Sequence, residues 1–176
     1  MIIDILLENV LTEIMRPNEI RDLDSIGPDY SLYILDKCNV LKVNYSNETT
    51  NIELLLNTEI IIKNPLNMAL CSHSVALSNK SQLFIYDIKS GQLNEEVAIE
   101  NEGTLNSMLF CHDGSMLFVH FCDNHIDKLV KFMFVEGKWE KRDEFLIENE
   151  ILGSWKMAYV HGHLIIVSWG RSILIF

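Results

Sequence analysis

Positive charge is scarce in this sequence. Lys and Arg total 14 against 25 Asp and Glu, a formal charge of -11, and the isoelectric point lies near 4.9. Nucleic-acid phosphates repel such a surface unless basic residues are concentrated in one place. The densest basic cluster, Lys138 to Arg142, is interrupted by Trp139 and Glu140 and followed by Asp143. No direct nucleic-acid binding is expected. Glycine and proline are also few, 8 and 3 in 176 residues, which excludes collagen-like and flexible-linker chains. There is no run of about 18 uncharged apolar residues, so no membrane-spanning helix is expected. Residues 1–15 are apolar-rich, but Asp4, Glu8 and Glu13 interrupt them and no basic stretch leads them. That argues against a signal peptide and against membrane insertion.

Cysteines are sparse too. Cys38, Cys71, Cys111 and Cys122 stand at long, irregular spacings with no C-x-x-C. A chain of this size folds without disulfides. They read as reduced, mostly buried thiols of a cytoplasmic protein, with the nucleus as the other expected location. Asn47-Glu48-Thr49 fits the glycosylation acceptor pattern, with no secretory context beside it.

Apolar side chains are plentiful. Hydrophobic residues are 48% and charged residues 22% of the chain, with a mean hydropathy of +0.13. This excludes intrinsic disorder. The length suits a single domain with a real core.

The chain repeats itself. One pattern recurs four times: apolar stretch, turn, apolar stretch, turn, strongly apolar stretch. Its anchors are Leu23, Met68, Met108 and Met157, which are 45, 40 and 49 residues apart. Periods of about 40–50 residues belong to four-stranded blades. The apolar runs are short, rich in Val, Ile, Leu, Phe and Tyr, and bounded by Asn, Asp, Gly and Ser. That is strand chemistry. Asp113-Gly114 between two apolar runs signals a hairpin, because Gly takes the positive φ of a tight turn. The pattern predicts strands at about 20–26, 31–36, 39–45 and 51–57, then 67–72, 74–78, 82–88 and 95–100. The third copy predicts 105–111, 115–121, 129–135 and 139–147, and the fourth 155–160, 163–168 and 172–176. Residues 1–19 are expected to form a helix or a closing outer strand. The repeats run approximately 20–64, 65–103, 104–150 and 151–176, within one domain spanning 1–176.

Two segments carry a family resemblance. Leu83-Phe-Ile-Tyr-Asp-Ile-Lys-Ser-Gly91 resembles the third strand of a WD40-type blade, with Tyr86-Asp87 where that family has Trp-Asp. Cys111-His-Asp-Gly-Ser-Met-Leu-Phe-Val119 is similar to the hairpin between the family's first two strands. The blade-opening Gly-His pair is missing from its place; Gly162-His163 falls in a first-turn position instead. No copy has Trp-Asp, so the family's His/Asp hydrogen-bond network is not carried over. The resemblance, over about residues 20–176, implies an all-β fold: antiparallel four-stranded blades in a partial β-propeller of about three and a half blades. It also implies a chain belonging to a larger propeller protein, whose remaining blades lie further along it.

Several clusters hold residue types that can carry chemistry. Cys111, His112, His120, Cys122 and His125 fall close together, but strand alternation separates neighbours onto opposite faces, and zinc needs four convergent ligands. They read as buried thiols and loop histidines, so no metal is expected. His161 and His163 lack a neighbouring nucleophile or orienting carboxylate and read as turn residues. No Gly-x-Ser-x-Gly elbow and no glycine-rich phosphate loop occur. Glu95, Glu96, Glu100 and Glu102 read as a solvated outer strand. Neither a cofactor nor a catalytic residue is expected. Trp139, in a hairpin, is the candidate protein-interaction residue, with packing between blades as its other reading. Trp155 and Trp169 read as core.

The expected function is that of a non-enzymatic scaffold binding other proteins in a complex, such as a trafficking or kinetochore assembly. The alternative is a non-catalytic propeller subunit supporting a partner enzyme such as a tRNA methyltransferase. An enzyme built on a propeller is the remaining class.

Overall fold

Alternation of apolar and polar residues over short runs leaves each segment one face to bury, and pairing with the next run satisfies its backbone. The computed structural model describes residues 20–26, 31–37, 39–46, 49–58, 62, 65–80, 82–99, 103–123, 126–147, 155–168 and 173–175. Among these, all extended regular structure is β. The expectations for residues 1–19, Gly27-Pro28-Asp29, Cys38, Asn47, Glu48, Glu100, Glu102, His125 and Trp169 lie outside the described residues.

The chain divides into two compact units, Met1–Pro65 and Leu66–Phe176. In the first, β1 (Ile20–Ile26), β2 (Ser31–Asp36), β3 (Asn39–Ser46) and β4 (Thr49–Asn57) pair antiparallel in chain order. Tyr33, Ile34, Leu35, Val40 and Val43 are buried, so β2 is covered on both faces.

The second unit holds three sheets. β5 (Asn67–Leu70), β6 (Ser74–Ser78), β7 (Gln82–Asp87) and β8 (Leu93–Ala98) form the second sheet of the chain. The third is β9 (Thr104–Phe110), β10 (Met116–Asp123), β11 (Ile126–Val135) and β12 (Lys138–Ile147). The fourth is β13 (Trp155–Val160), β14 (His163–Ser168) and β15 (Ile173–Ile175). Each sheet is antiparallel in chain order, and the first strands sit side by side, β9 between β5 and β13. This is the all-β, four-stranded-blade architecture of a partial propeller.

Alternation decides which sheets meet. Met108, Phe110, Leu117, Val119, Val130, Phe132 and Trp139 of the third sheet pack on Ala69, Cys71, Ala76, Leu83 and Ile85 of the second. The opposite face of the third sheet, through Phe118, Leu129 and Ile147, packs on Leu164 and Ile166 of the fourth. There the Phe118 and Tyr159 rings stack with centroids 5.7 Å apart.

The turns explain where the strands end. Glu136-Gly137 (φ 50° and 87°) and His161-Gly162 (φ 49° and 85°) are two-residue turns with both central residues at positive φ, which match strand twist. The Asp113-Gly114 hairpin is wider: Cys111 N–H donates to the Met116 carbonyl, and Gly114 alone takes positive φ, at 70°. β7 stops at Asp87, whose carboxylate accepts from Ser90 N–H at 2.7 Å, Ser90 Oγ at 2.8 Å and Lys89 N–H at 3.1 Å. These bonds hold its pKa below the ordinary carboxylate value. β10 and β11 run further than their sequence limits, pairing out to Asp123 opposite Ile126.

Candidate protein-interaction surface

One end of the second unit is built from turns. The turns that follow β5 and β9 meet, Gly114 of one lying against Cys71 and His73 of the other. His73, His112 and Asp113 are exposed on those turns, as are His161 in the turn between β13 and β14 and His163 at the start of β14. Two cysteines hold equivalent places there, each three residues after its anchoring methionine: Cys71 after Met68 and Cys111 after Met108. Both are buried, neither forms a disulfide, and burial raises the Cys71 pKa.

The turn of the third sheet is locked from within. Cys111 Sγ donates to Asp113 Oδ1 at 2.7 Å, and Ser115 N–H and Oγ donate to the same oxygen at 3.0 and 2.8 Å. These donors, the Cys111 thiol foremost, pull the Asp113 carboxyl down to about 2. Gly114 faces the neighbouring sheet. A Cβ built on it would lie 2.5 Å from His73 Cε1 and 2.7 Å from Cys71 Sγ.

Cys111 precedes β10 and Cys122 lies near the far end of that strand, and His112 is exposed while His120 is fully buried. The structure does not gather these residues, and no group of three metal-capable side chains occurs among the described residues. His120 Nε2 instead lies 2.9 Å from Asp127 Oδ1 across β10 and β11. Asp127 was not singled out by sequence. Its signal was a polar residue inside an apolar run, across a turn from another one.

Glu95 and Glu96 serve β8. Glu95 Oε2 accepts the Trp139 backbone N–H at 2.8 Å, joining the second and third sheets, and Glu96 accepts from the Gln82 amide. Trp139 is 8% exposed. Its ring lies 5.7 Å from Phe110 and 5.4 Å from Phe134, centroid to centroid. It packs between two blades, and a partner-anchoring role for the same ring is a proposal. Trp155 begins β13.

Tyr86, beside Asp87, is buried near the end of β7. Its hydroxyl has no hydrogen-bond partner among the described residues. Burial, then the charge of Glu96, pushes its pKa up to about 12. An unsatisfied buried hydroxyl destabilises a fold. Tyr86→Phe is therefore expected to hold or raise stability, by up to about 1 kcal/mol. Chemical denaturation checks this, and a loss would show that the hydroxyl is bonded.

Among the described residues, the fourth sheet carries open apolar surface. Met157, Tyr159, Leu164 and Ile166 face the third sheet. Register puts Ala158, Ile165 and Ile175 in one row on the other face, with Lys156 and Val167 beside them. Val160, Val167 and Ile175 there are 45%, 44% and 65% exposed. Among the described residues, no strand pairs with the outer side of β15.

No protein-family model matches the chain, and no curated protein does. Solved structures match. A humanized mutant of the Chaetomium thermophilum Polycomb Repressive Complex 2 aligns over 93% of this chain and 46% of its own, at 10% identity and a TM-score of 0.65. The β-propeller domain of Myceliophteria thermophila Cps50 (Swd1) aligns over 83% and 52%, at 12% identity and a TM-score of 0.56. Hydrazine synthase of Kuenenia stuttgartiensis aligns over 88% and 48%, at 11% identity and a TM-score of 0.57. The chain has a β-propeller fold. It spans about half the length of the structures it matches.

Proposed function

We propose that this chain is a non-catalytic protein-interaction module that contributes blades to a multiprotein complex. The observation that carries this reading is the fourth sheet's exposed apolar face. Exposed, it resembles in composition the faces that the second, third and fourth sheets bury against one another. Contiguous apolar surface rimmed by polar residues marks interaction sites. The fold supports the reading as well: one similar structure is by its name a complex, the Polycomb Repressive Complex 2. Another similar structure, a hydrazine synthase, bears an enzyme's name, so the fold alone does not carry the non-catalytic part. The disulfide-free Cys71, Cys111 and Cys122 support a cytoplasmic or nuclear site of action.

The test is purification of the tagged full-length protein from its native cells, with composition read by mass spectrometry and mass by light scattering. The expected result is a stoichiometric assembly with protein. Co-purified coat, kinetochore or methyltransferase chains would name the complex. A lone 20.3 kDa species, or turnover by the isolated chain, would overturn the proposal.

A further inference from the structure

Asp113-Gly114 is the one Asp-Gly step in the sequence, and no Asn-Gly step occurs. In that step a backbone nitrogen stands beside a carboxyl group, with no Cβ on its own residue to keep the two apart. The pair can exchange bonds with water as the only reagent. The Gly114 nitrogen attacks Asp113 Cγ and forms a C–N bond. The Cγ–OH bond breaks, and the hydroxyl leaves with the amide proton as one water. The product is a five-membered cyclic imide. Water then adds to one of its two carbonyls. Opening at Cγ restores aspartate. Opening at the Asp113 main-chain carbonyl leaves the backbone running through the side chain, as isoaspartate. Nothing is oxidised or reduced, and the water released is matched by the water taken up.

The turn exposes this step and at the same time holds it shut. Asp113 is open to solvent. The attacking nitrogen is engaged, because Gly114 N–H donates to the Cys111 carbonyl at 3.0 Å. Asp113 Oδ1 accepts from Cys111 Sγ at 2.7 Å, Ser115 Oγ at 2.8 Å and Ser115 N–H at 3.0 Å. The hydroxyl can leave only from the neutral acid, and these donors favour the ionised form. With the carboxyl at about 2 in place of 3.8, the neutral acid is scarcer by about 10-fold or more. The Cys111 thiol contributes most to that depression. Its sulfur also accepts the Met116 N–H at 3.1 Å, closing the turn around the carboxylate.

We propose that Asp113-Gly114 is a latent isoaspartate site, kept closed by the Cys111 thiol, and that its conversion loosens the contact between the second and third sheets. Isoaspartate adds one methylene to the main chain, between Asp113 Cα and the carbonyl joined to Gly114. The addition falls where there is no slack. Cys71 Sγ lies 2.7 Å, and His73 Cε1 2.5 Å, from the place of a Cβ on Gly114. Cys71 belongs to the apolar cluster that the two sheets share. The carboxylate that accepted three hydrogen bonds also becomes an amide carbonyl of the chain, so the lock on the turn is lost with the conversion. Every group involved lies in the second unit, and the proposal is independent of the interaction-module reading.

The experiment incubates the purified full-length chain near neutral pH, with a peptide of residues 108–119 as the unfolded reference. The imide is read by mass, as the loss of one water, and isoaspartate by electron-transfer fragmentation. Wild type is expected to convert about 10-fold or more slowly than the peptide. Cys111→Ala is expected to convert about 10-fold faster than wild type, and Cys111→Ser, which keeps a hydroxyl donor, at a rate between the two. Circular dichroism of the fresh variants is expected to match wild type, which separates release of the turn from unfolding. Should Cys111→Ala misfold, Ser115→Ala removes another donor to the same oxygen and is expected to act in the same direction. The converted fraction is expected to melt below the unconverted one. Wild type converting as fast as the peptide, or folded variants converting no faster than wild type, would overturn the guarding role. Converted protein with an unchanged melting temperature would overturn the link to the sheet contact.

Discussion

Replacing Asp127 by alanine is expected to destabilise the second unit by about 2–3 kcal/mol. Asp127 is 4% exposed and His120 fully buried, and their bond of 2.9 Å spans β10 and β11 near the turn that joins them. The hydrogen bond involves a carboxylate, so it is stronger than a neutral one, and its loss strands an imidazole nitrogen in an apolar setting. Asp127→Asn keeps an accepting oxygen and is expected to cost about 1 kcal/mol. Thermal denaturation of both variants checks the order. Equal stability of Asp127→Ala and wild type would show that the pair contributes nothing.

The same pair sets a pH dependence. Burial lowers the His120 pKa below its ordinary 6.5, and the Asp127 bond and charge only partly offset this. The unfolded chain therefore binds a proton at this site more readily than the folded one. The stabilisation is fully present above pH 6.5 and is lost as pH falls from there towards the lower folded value. His120→Gln is expected to flatten that slope. An unchanged slope would assign the acid sensitivity to other groups.

Gly114→Ala is expected to cost about 2–4 kcal/mol, from positive-φ strain and overpacking together. Gly114 has φ +70°, and an added Cβ would meet Cys71 Sγ at 2.7 Å and His73 Cε1 at 2.5 Å. His73 is exposed and can swing away, but Cys71 is buried in the contact between the second and third sheets. Gly137 and Gly162 supply the comparison. They have φ of +87° and +85° with nothing within 4 Å of an added Cβ. Alanine at either is expected to cost only the backbone strain, about 1–2 kcal/mol. In a unit this size, each kcal/mol moves the melting temperature by about 4 °C. Gly114→Ala matching the other two would show that the inter-sheet contact yields freely.

Much of the fold was legible because it is local. Leu83 to Asp87 reads as a strand from alternation, and Asp87 with Gly91 as its turn. Pairing β6 with β7 then needs only the short connection between them. The same holds for β13 and β14 across His161-Gly162. The interaction surface was less legible. Ala158, Ile165 and Ile175 read as strand interior, with nothing in their identity to say that their face stays open. Trp139 allowed two readings, and only the positions of Phe110, Phe134 and Glu95 show what surrounds it.

By itself, the sequence determined the strands, their antiparallel order and the blade period, because those follow from backbone hydrogen bonding and turn residues a few positions apart. Tertiary structure decided which faces meet, and it brought His120 against Asp127 and Gly114 against Cys71. It also placed a register irregularity in the β3–β4, β7–β8 and β11–β12 pairings. Which faces meet, and the approach of Gly114 to Cys71, depend on shape and on contacts about forty residues apart, whereas His120 and Asp127 meet through the register of two neighbouring strands. Apolar burial is non-directional, so any hydrophobic face can be covered by any other until packing selects one.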